Sequence, residues 1–242
     1  MKKAIATALF AAAAVVSLPA VAGYSHCGGG STDPYCKTVK LSDAGSSGSN
    51  LVSVDAYYNS SGSTTLIDAY SKTYYSGVGY GVRGVSGEST SSPQHAMDND
   101  GKFEWLMLSF DKAVRLDEIT VGWNYDADMT ILASNAPSTD LNGWNFIENV
   151  YYNGGQNTGS WWSSPEKKSL SLTSEICASY WLIGALNPKF GANDANLDYF
   201  KVYSVQACTD CGTPGTGVAE PGSLALAGLG LLGVIGLRRR RS

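Results

Sequence analysis

The chain of 242 residues is long enough for one large domain or two small ones. Hydrophobic residues make up 43% of it, which excludes a wholly disordered chain, and charged residues make up only 16%. Tyr (14) and Trp (6) are plentiful while His (2) and Met (4) are scarce, so the composition favours β-structure over a helical bundle.

The formal net charge of −4 hides a difference between the ends of the chain and its middle. Six of the 17 Lys and Arg residues lie at the two ends, whereas Glu220 is the only acidic residue outside residues 23–219. That span therefore carries 11 basic and 20 acidic groups. Because an acidic surface repels phosphate backbones, we do not expect nucleic-acid binding.

The N-terminal residues 1–22 have the layout of a secretory signal peptide. Two lysines precede an apolar stretch, and Ala20 and Ala22 supply the small residues of a cleavage site. The apolar stretch is shorter than the ~20 residues of a transmembrane helix, so a permanent anchor is the weaker alternative. We expect signal peptidase to cut before Gly23, which begins a Gly-rich segment over residues 23–34.

The five cysteines are disulfide candidates first, because a secreted chain meets an oxidising compartment. Cys27 and Cys36 enclose a short flexible loop and are predicted to pair with each other. Cys208 and Cys211 form a Cys-x-x-Cys in which at least one residue is expected to be oxidised, and Cys177 is left over. Zinc binding and a redox role for the Cys-x-x-Cys are the alternatives.

Residues 35–207 are predicted to form one β-rich domain. Strand patterns are found at residues 52–58, 103–110, 119–123, 129–134, 180–186 and 199–205. In the first of them, Val52, Val54 and Ala56 are expected to share one face, and a short helical turn is expected near residues 66–75. Many short strands separated by turn sequences are typical of a β-sandwich or barrel.

Asp98, Asn99 and Asp100 form an acidic turn that precedes a buried strand. Calcium prefers oxygen ligands and is abundant outside the cell, so these three residues are a candidate calcium site. The alternative is a plain Asx turn between two strands. We expect no other cofactor.

Trp161 and Trp162 follow a Gly-rich loop and place two large aromatic side chains at one point of the chain. An exposed aromatic face can stack on a sugar ring, which makes this pair a candidate glycan-binding site. The alternative is that both rings cap the hydrophobic core.

The C-terminal residues 219–242 have three parts. An Ala-Glu-Pro tripeptide precedes an uncharged, Gly-rich stretch over residues 222–237, and a basic cluster follows. The residues that define the ends of this segment are Ala219, Glu220, Pro221, Arg238, Arg239, Arg240 and Arg241. The stretch is somewhat short for a bilayer, and the arginines would hold the C-terminus in the cytoplasm. Residues 208–218 are expected to be a linker.

This three-part pattern resembles the PEP-CTERM sorting signal that exosortase recognises, with Ala219 where the first Pro is usual. Motifs inside the domain also resemble exosortase-dependent surface proteins over most of residues 35–206. These motifs lie at residues 93–101, 108–111, 121–123, 180–185 and 198–201. Their order is similar to that of jelly-roll domains of the discoidin or galactose-binding type.

The resemblance implies an all-β fold, a β-sandwich flanked by an N-terminal signal helix and a C-terminal transmembrane helix. It also implies that a precursor held in the inner membrane is delivered to the cell surface or the extracellular matrix. Signal peptidase and exosortase are the expected partners, the membrane is a transient one, and extracellular polysaccharide is a further candidate.

We expect a structural or adhesive protein, with glycan binding by the sandwich, and not an enzyme. The alternative is an extracellular carbohydrate-active hydrolase with the same tail. His95 is the one histidine of the domain and no G-x-S-x-G motif accompanies it, so a serine hydrolase is disfavoured. Two carboxylates facing each other in an open cleft would favour the hydrolase.

Overall fold

The computed structural model of the chain describes residues 34–88, 95–152, 167–192 and 196–211. Its twelve strands are β1 (Cys36–Lys40), β2 (Leu51–Asn59), β3 (Ile67–Asp68), β4 (Ser71–Tyr75), β5 (Gly79–Arg83), β6 (Met97–Asp98), β7 (Phe103–Asp126), β8 (Met129–Ser134), β9 (Asn145–Val150), β10 (Lys168–Ser171), β11 (Ala178–Ala185) and β12 (Tyr199–Cys208). Three 3-10 helices lie at Leu41–Asp43, Leu141–Gly143 and Pro188–Phe190. The described residues contain no α-helix.

The strands form two antiparallel sheets that share the long strand β7. Sheet I has the order β3-β2-β7-β11-β8-β9 and pairs β2 with residues 103–110 of β7. Sheet II has the order β4-β5-β12-β7-β10 and pairs β12 with residues 115–126 of β7, while β1 and β6 also pair with β12. The single strand β7 therefore links the two layers.

One hydrophobic core lies between the two sheets. Sheet I contributes Leu106 and Trp181 to it, and sheet II contributes Leu116 and Phe200, all fully buried. Removing these side chains from water is the main stabilising contribution to such a fold. The all-β sandwich predicted from the sequence is therefore confirmed.

A second, smaller cluster covers the outer face of sheet I. It contains Trp105, Met107, Leu132 and Leu182 from the strands of that sheet. Because successive strand residues point to opposite faces, residues 103–110 fill the main core with one set of side chains and this cluster with the other. The nearly continuous apolar sequence of this segment reflects burial on both faces.

Two local predictions are wrong. Val52 is 54% exposed and does not share the buried face of Val54, because the pairing of β2 with β7 shifts register between Leu51 and Ser53. Residues 66–75 contain the strands β3 and β4 and not a helical turn, since β3 pairs with β2 and β4 pairs with β5. The other predicted strands are confirmed within β2, β7, β8, β11 and β12.

The predicted signal helix over residues 1–22 and the predicted span over residues 222–237 lie outside the described residues. Within the described part of the chain, no helix is long and apolar enough to cross a membrane.

Candidate functional site

Several predicted site residues lie outside the described part of the chain. They belong to the signal peptidase site, the first cysteine, the tryptophan pair and the sorting tail. These residues are Ala20, Ala22, Gly23, Cys27, Trp161, Trp162, Ala219, Glu220, Pro221, Arg238, Arg239, Arg240 and Arg241.

Two disulfides join the strands near β12. Cys36 on β1 is bonded to Cys208 on β12, directly opposite in the strand register, with Cα atoms 4.0 Å apart. Cys177, just before β11, is bonded to Cys211. The prediction that at least one of Cys208 and Cys211 is oxidised is confirmed, since both are. The predicted bond between Cys27 and Cys36 is wrong, because the pairing of β1 with β12 brings Cys208 to Cys36.

The same bonds decide between the alternatives for the Cys-x-x-Cys. Cys208 and Cys211 belong to two different disulfides, so they do not form the redox pair of such a motif. Cys36, Cys208 and Asp210 lie close enough together to hold a metal ion, but zinc binds a cysteine thiolate and these sulfurs are bonded to each other. The cysteines of this region are structural.

The predicted calcium turn has the geometry of an Asx turn. The Asp98 carboxylate accepts a hydrogen bond of 3.0 Å from the backbone N–H of Asp100. Asp98 is buried, and burial raises the pKa of its carboxyl. The hydrogen bond from Asp100 is that of the plain Asx turn, and calcium binding by the turn stays a prediction.

Asn99 of this turn is hydrogen-bonded to one member of a second group of carboxylates. Its side chain donates a hydrogen bond of 2.6 Å to Asp198 and accepts one of 2.9 Å from the backbone N–H of Asp198. One oxygen from each of Asp126, Asp128 and Asp198 lies within 4.8 Å of the other two. Carboxylate oxygens suit hard divalent cations. These three described carboxylates lie close enough together to hold one.

A buried carboxyl, that of Glu104 on β7, joins three segments of chain. It accepts hydrogen bonds from the backbone N–H groups of Gly84 and Asp98. Burial, with the nearby Asp98 carboxyl as a further cause, raises the pKa of Glu104 well above its usual range. Glu104 is fully enclosed, so its role is structural and not that of a catalytic acid in an open cleft.

The ammonium group of Lys201 on sheet II lies between aromatic rings. It is 4.4 Å from the ring centroid of Trp123 and 5.2 Å from that of Tyr75, and the residue is 2% exposed. Burial lowers the pKa of Lys201 to about 8. His95 is also buried, with its ring centroid 5.0 Å from that of Tyr75. The single histidine of the domain thus belongs to this enclosed group.

A stacked pair of aromatic rings, of which one is exposed and one is half-buried, lies at the β9 edge of sheet I. Phe146 on β9 is 45% exposed, and its ring centroid is 5.7 Å from that of Phe190, with the two planes 10° apart. Phe190 makes a T-shaped contact of 6.4 Å with the buried ring of Trp105. We call the two rings the Phe146–Phe190 platform.

Trp105 reaches the platform because the neighbouring strand leaves room for it. A Cβ at Gly184 on β11 would overlap the Trp105 ring, so only glycine allows the indole to lie across that strand. The indole N–H donates a hydrogen bond of 2.7 Å to the side chain of Asn59. The ring beneath the platform is thus fixed on two sides.

The short 3-10 helix that carries Phe190 is held at both ends. The side chain of Asn187 caps its start by accepting a hydrogen bond from the backbone N–H of Lys189, and Gly191 ends it with a φ of 76°. The Asn149 side chain donates a hydrogen bond of 3.0 Å to the carbonyl of Phe190. These bonds position the Phe190 ring independently of any ligand.

Polar groups border the platform. The ammonium of Lys189 lies 5.8 Å from the Phe190 ring centroid and donates a hydrogen bond of 3.1 Å to the Asn142 side chain. The backbone N–H of Asn142 donates to the Asp140 carboxylate, and this bond lowers the pKa of Asp140. An ammonium, an amide and a carboxylate are therefore grouped beside the half-buried ring of the platform, Phe190.

Two open depressions are the other described candidates. A cleft of about 560 Å³ lies between β1 and residues 43–50, with exposed Tyr35 in its wall. A shallower depression of about 320 Å³ is lined by Asp55, Asp68 and Lys72. The first is rich in hydroxyl groups, and the second holds two carboxylates.

The C-terminal residues 218–241 match the family model of the PEP-CTERM protein-sorting motif. The chain carries a PEP-CTERM sorting motif. The matched segment contains Glu220, Pro221 and the arginine cluster, so the predicted resemblance of the tail is confirmed. This motif indicates an exosortase-dependent secreted or cell-surface protein with a precursor anchored in the membrane at its C-terminus.

Three solved structures show a distant likeness. Chitosan-binding module 1 of a chitosanase/glucanase from Paenibacillus sp. IK-5 is 17% identical, with 49% of this chain and 79% of that one covered and a TM-score of 0.26. The CBM32-1 and CBM32-2 domains of Clostridium perfringens ZmpB are 12% identical, with 69% and 42% covered and a TM-score of 0.34. The K2 cleaved adhesin domain of Lys-gingipain is 10% identical, with 71% and 88% covered and a TM-score of 0.27.

The chain thus spans less than half of the ZmpB structure that it matches. The comparison with curated proteins found no match.

Proposed function

We propose that the chain is a structural or adhesive protein of the bacterial cell surface or extracellular matrix, and that its sandwich binds polysaccharide. The sorting motif supports the location. The observation that carries the second part is the Phe146–Phe190 platform, an exposed ring on a rigid base with polar groups beside it. Sugar sites combine an aromatic surface with a few fixed polar groups in this way.

The tail is proposed to act as a temporary anchor. Residues 222–237 are short and Gly-rich, so they hold the membrane more weakly than a Leu-rich helix. The arginines after them keep the C-terminus in the cytoplasm, which leaves Glu220 and Pro221 at the outer face of the membrane. Cleavage near these residues by exosortase would release a domain whose own N-terminus signal peptidase has already cut at Gly23.

A matched pair of strains tests the sorting step. In a host without exosortase, we expect the uncut precursor to accumulate in the inner membrane and the surface protein to decrease. Replacing Glu220 and Pro221 by alanine in the intact host should have the same effect. If both strains release normal amounts of tail-less protein, the tail is not a sorting signal for this chain.

Polysaccharide binding is tested with the matrix polysaccharide of the host. The purified full chain, mixed with that polysaccharide and centrifuged, should pellet with it, and heat-unfolded protein is the control. Equal amounts of folded and unfolded chain in the pellet would contradict a binding role for the sandwich.

A hydrolase is the second candidate, because Asp55 and Asp68 line the same open depression. The Asp55 carboxylate forms a salt bridge of 3.2 Å with Lys72 and accepts a hydrogen bond of 2.8 Å from the hydroxyl of Ser53. Both interactions are structural. We therefore propose binding without catalysis. Incubation with the same polysaccharide should release no new reducing ends, and their release in wild type but not in Asp68→Asn would favour the hydrolase.

A further inference from the structure

The exposed face of Phe146 is pre-organised for a flat ligand. Its ring lies parallel to that of Phe190, which is fixed by the hydrogen bond from Asn149 and by the contact with Trp105. A side chain that is already ordered loses little conformational freedom when a ligand binds. The platform can therefore turn apolar contact into affinity at small entropic cost.

The chemistry around the ring matches a sugar with polar edges and an apolar face. In a β-linked, gluco-configured pyranose, the hydroxyl groups project from the rim of the ring and C–H bonds cover its faces. The face can lie on Phe146, and the rim hydroxyls need donors and acceptors at the side. Asn142, Lys189 and Asp140 are exposed, are grouped beside the Phe190 ring that stacks on Phe146, and supply both.

The charge of the chain favours a neutral sugar over an acidic one. The ammonium of Lys189 has Asp140 as a neighbour, which is one of the causes that lower the pKa of Asp140. Residues 23–219 carry 20 acidic and only 11 basic groups. A polyanionic glycan would be repelled by such a surface.

We infer that the Phe146–Phe190 platform binds one neutral, gluco-configured pyranose unit of a β-linked polysaccharide, with Asn142 and Lys189 holding its hydroxyl groups. This inference rests on the proposed function and names the site and the sugar class for it. The sugar packs on the open face of Phe146, at the β9 edge of sheet I.

The test uses the full chain in detergent, with cellohexaose and laminarihexaose as probes in isothermal titration calorimetry. Phe146→Ala should weaken binding about tenfold, since an aromatic contact worth about 1.4 kcal/mol corresponds to that factor. Phe146→Tyr, which keeps the ring, should bind within about threefold of wild type. Asn142→Ala should lower affinity about threefold, because it removes one hydrogen-bonding group.

Tyr70→Ala is the matched control. Tyr70 is 59% exposed, and the guanidinium of Arg83 lies 5.2 Å from its ring centroid. It resembles Phe146 in exposure and in its charged neighbour but lies on another part of the surface. Its removal should leave the affinity unchanged, and the thermal midpoints of both alanine variants should equal that of wild type.

Three results would overturn the inference. If wild type binds a probe and Phe146→Ala binds it equally well, the sugar lies elsewhere, and the proposed function still stands. If wild type pellets with the host polysaccharide but binds neither probe, the sugar class is wrong. If Phe146→Ala changes only the mass of the particle in light scattering, the platform is an interface between copies of the chain. Failure of the pelleting experiment itself would contradict the proposed function.

Discussion

Among the lysines that contact aromatic rings, Lys189 and Lys201 have opposite surroundings. Lys189 lies beside Phe190 and is exposed, with its ammonium bonded to Asn142. Lys201 lies over Trp123, is 2% exposed, and has a pKa lowered to about 8 by burial. A lysine beside an aromatic ring thus borders the proposed binding surface in one place and belongs to an enclosed structural group in the other.

The difference comes from what covers each ring. Near Lys201, the backbone at Val78 approaches Gly122 so closely that a Cβ at Gly122 would overlap it. Val78 packs against Trp123, which is 5% exposed. The ring beside Lys189, that of Phe190, is instead stacked on Phe146, which lies on the edge strand β9 and keeps 45% of its surface exposed. Coverage by a neighbouring turn therefore separates the enclosed ring of Trp123 from the exposed ring of Phe146.

The largest expected effect on stability is at Trp123, the enclosed ring beside Lys201. Trp123→Ala should lower the free energy of unfolding by about 3–5 kcal/mol, because it removes a buried ring and exposes a cavity beside Lys201. Phe146→Ala, its counterpart on the open side, should change stability by less than about 1 kcal/mol. Urea unfolding under non-reducing conditions measures both, and similar losses for the two variants would contradict the comparison.

The strands could be predicted because burial leaves a periodic pattern. Residues 103–110 and 180–186 are apolar on both faces, and the structure covers both faces of β7 in its first half. The exposure of Val52 could not be predicted, because it depends on a register shift between two strands that are distant in sequence. The bond between Cys36 and Cys208 could not be predicted for the same reason, because it depends on the register of β1 against the distant strand β12.

The platform was missed for a related reason. Phe146 and Phe190 are far apart in sequence, and neither belongs to an aromatic pair such as the one that was predicted to bind sugar, Trp161 and Trp162. A local signal does exist for Phe190, because an Asn-Pro dipeptide followed by a glycine predicts a tight turn that displays the residue between them. Only the fold shows that this turn lies against β9.

The next effect concerns Glu104, whose carboxyl is enclosed like Lys201. Glu104→Ala should lower the free energy of unfolding by about 1–3 kcal/mol for each of the two backbone N–H groups left without an acceptor. Glu104→Gln keeps one amide oxygen as acceptor and should cost less. Urea unfolding at pH 6 compares the three proteins, and an unchanged stability of Glu104→Ala would show that the carboxyl is dispensable.

Glu104→Gln also tests how the Glu104 carboxyl makes the free energy of unfolding depend on pH. The folded-state pKa of Glu104 is raised above that of an unfolded glutamate, about 4.3. Above that pH the folded state holds more protons, so wild-type stability should fall as the pH rises toward neutrality. Glu104→Gln lacks this proton and should lose less stability between pH 5 and pH 8. Parallel curves for wild type and Glu104→Gln would refute the raised pKa.

A further expected effect is a change in the slope of stability against pH in the alkaline range, caused by Lys201. The folded-state pKa of Lys201 is about 8, below the value of about 10.4 for an unfolded lysine. Between these values the unfolded state binds more protons, so the stability contributed by neutral Lys201 should rise with pH and level off above the upper value. The gain over this window is about 3 kcal/mol at most.

Lys201→Met isolates this gain, because methionine fills a similar volume and does not titrate. The difference in unfolding free energy between wild type and Lys201→Met should be constant below pH 7.5 and should move in favour of wild type between pH 8 and pH 10. Taking differences at each pH removes the opposite contribution of Glu104, which both proteins share. A difference that stays constant from pH 7.5 to pH 10 would show that burial does not lower the pKa of Lys201.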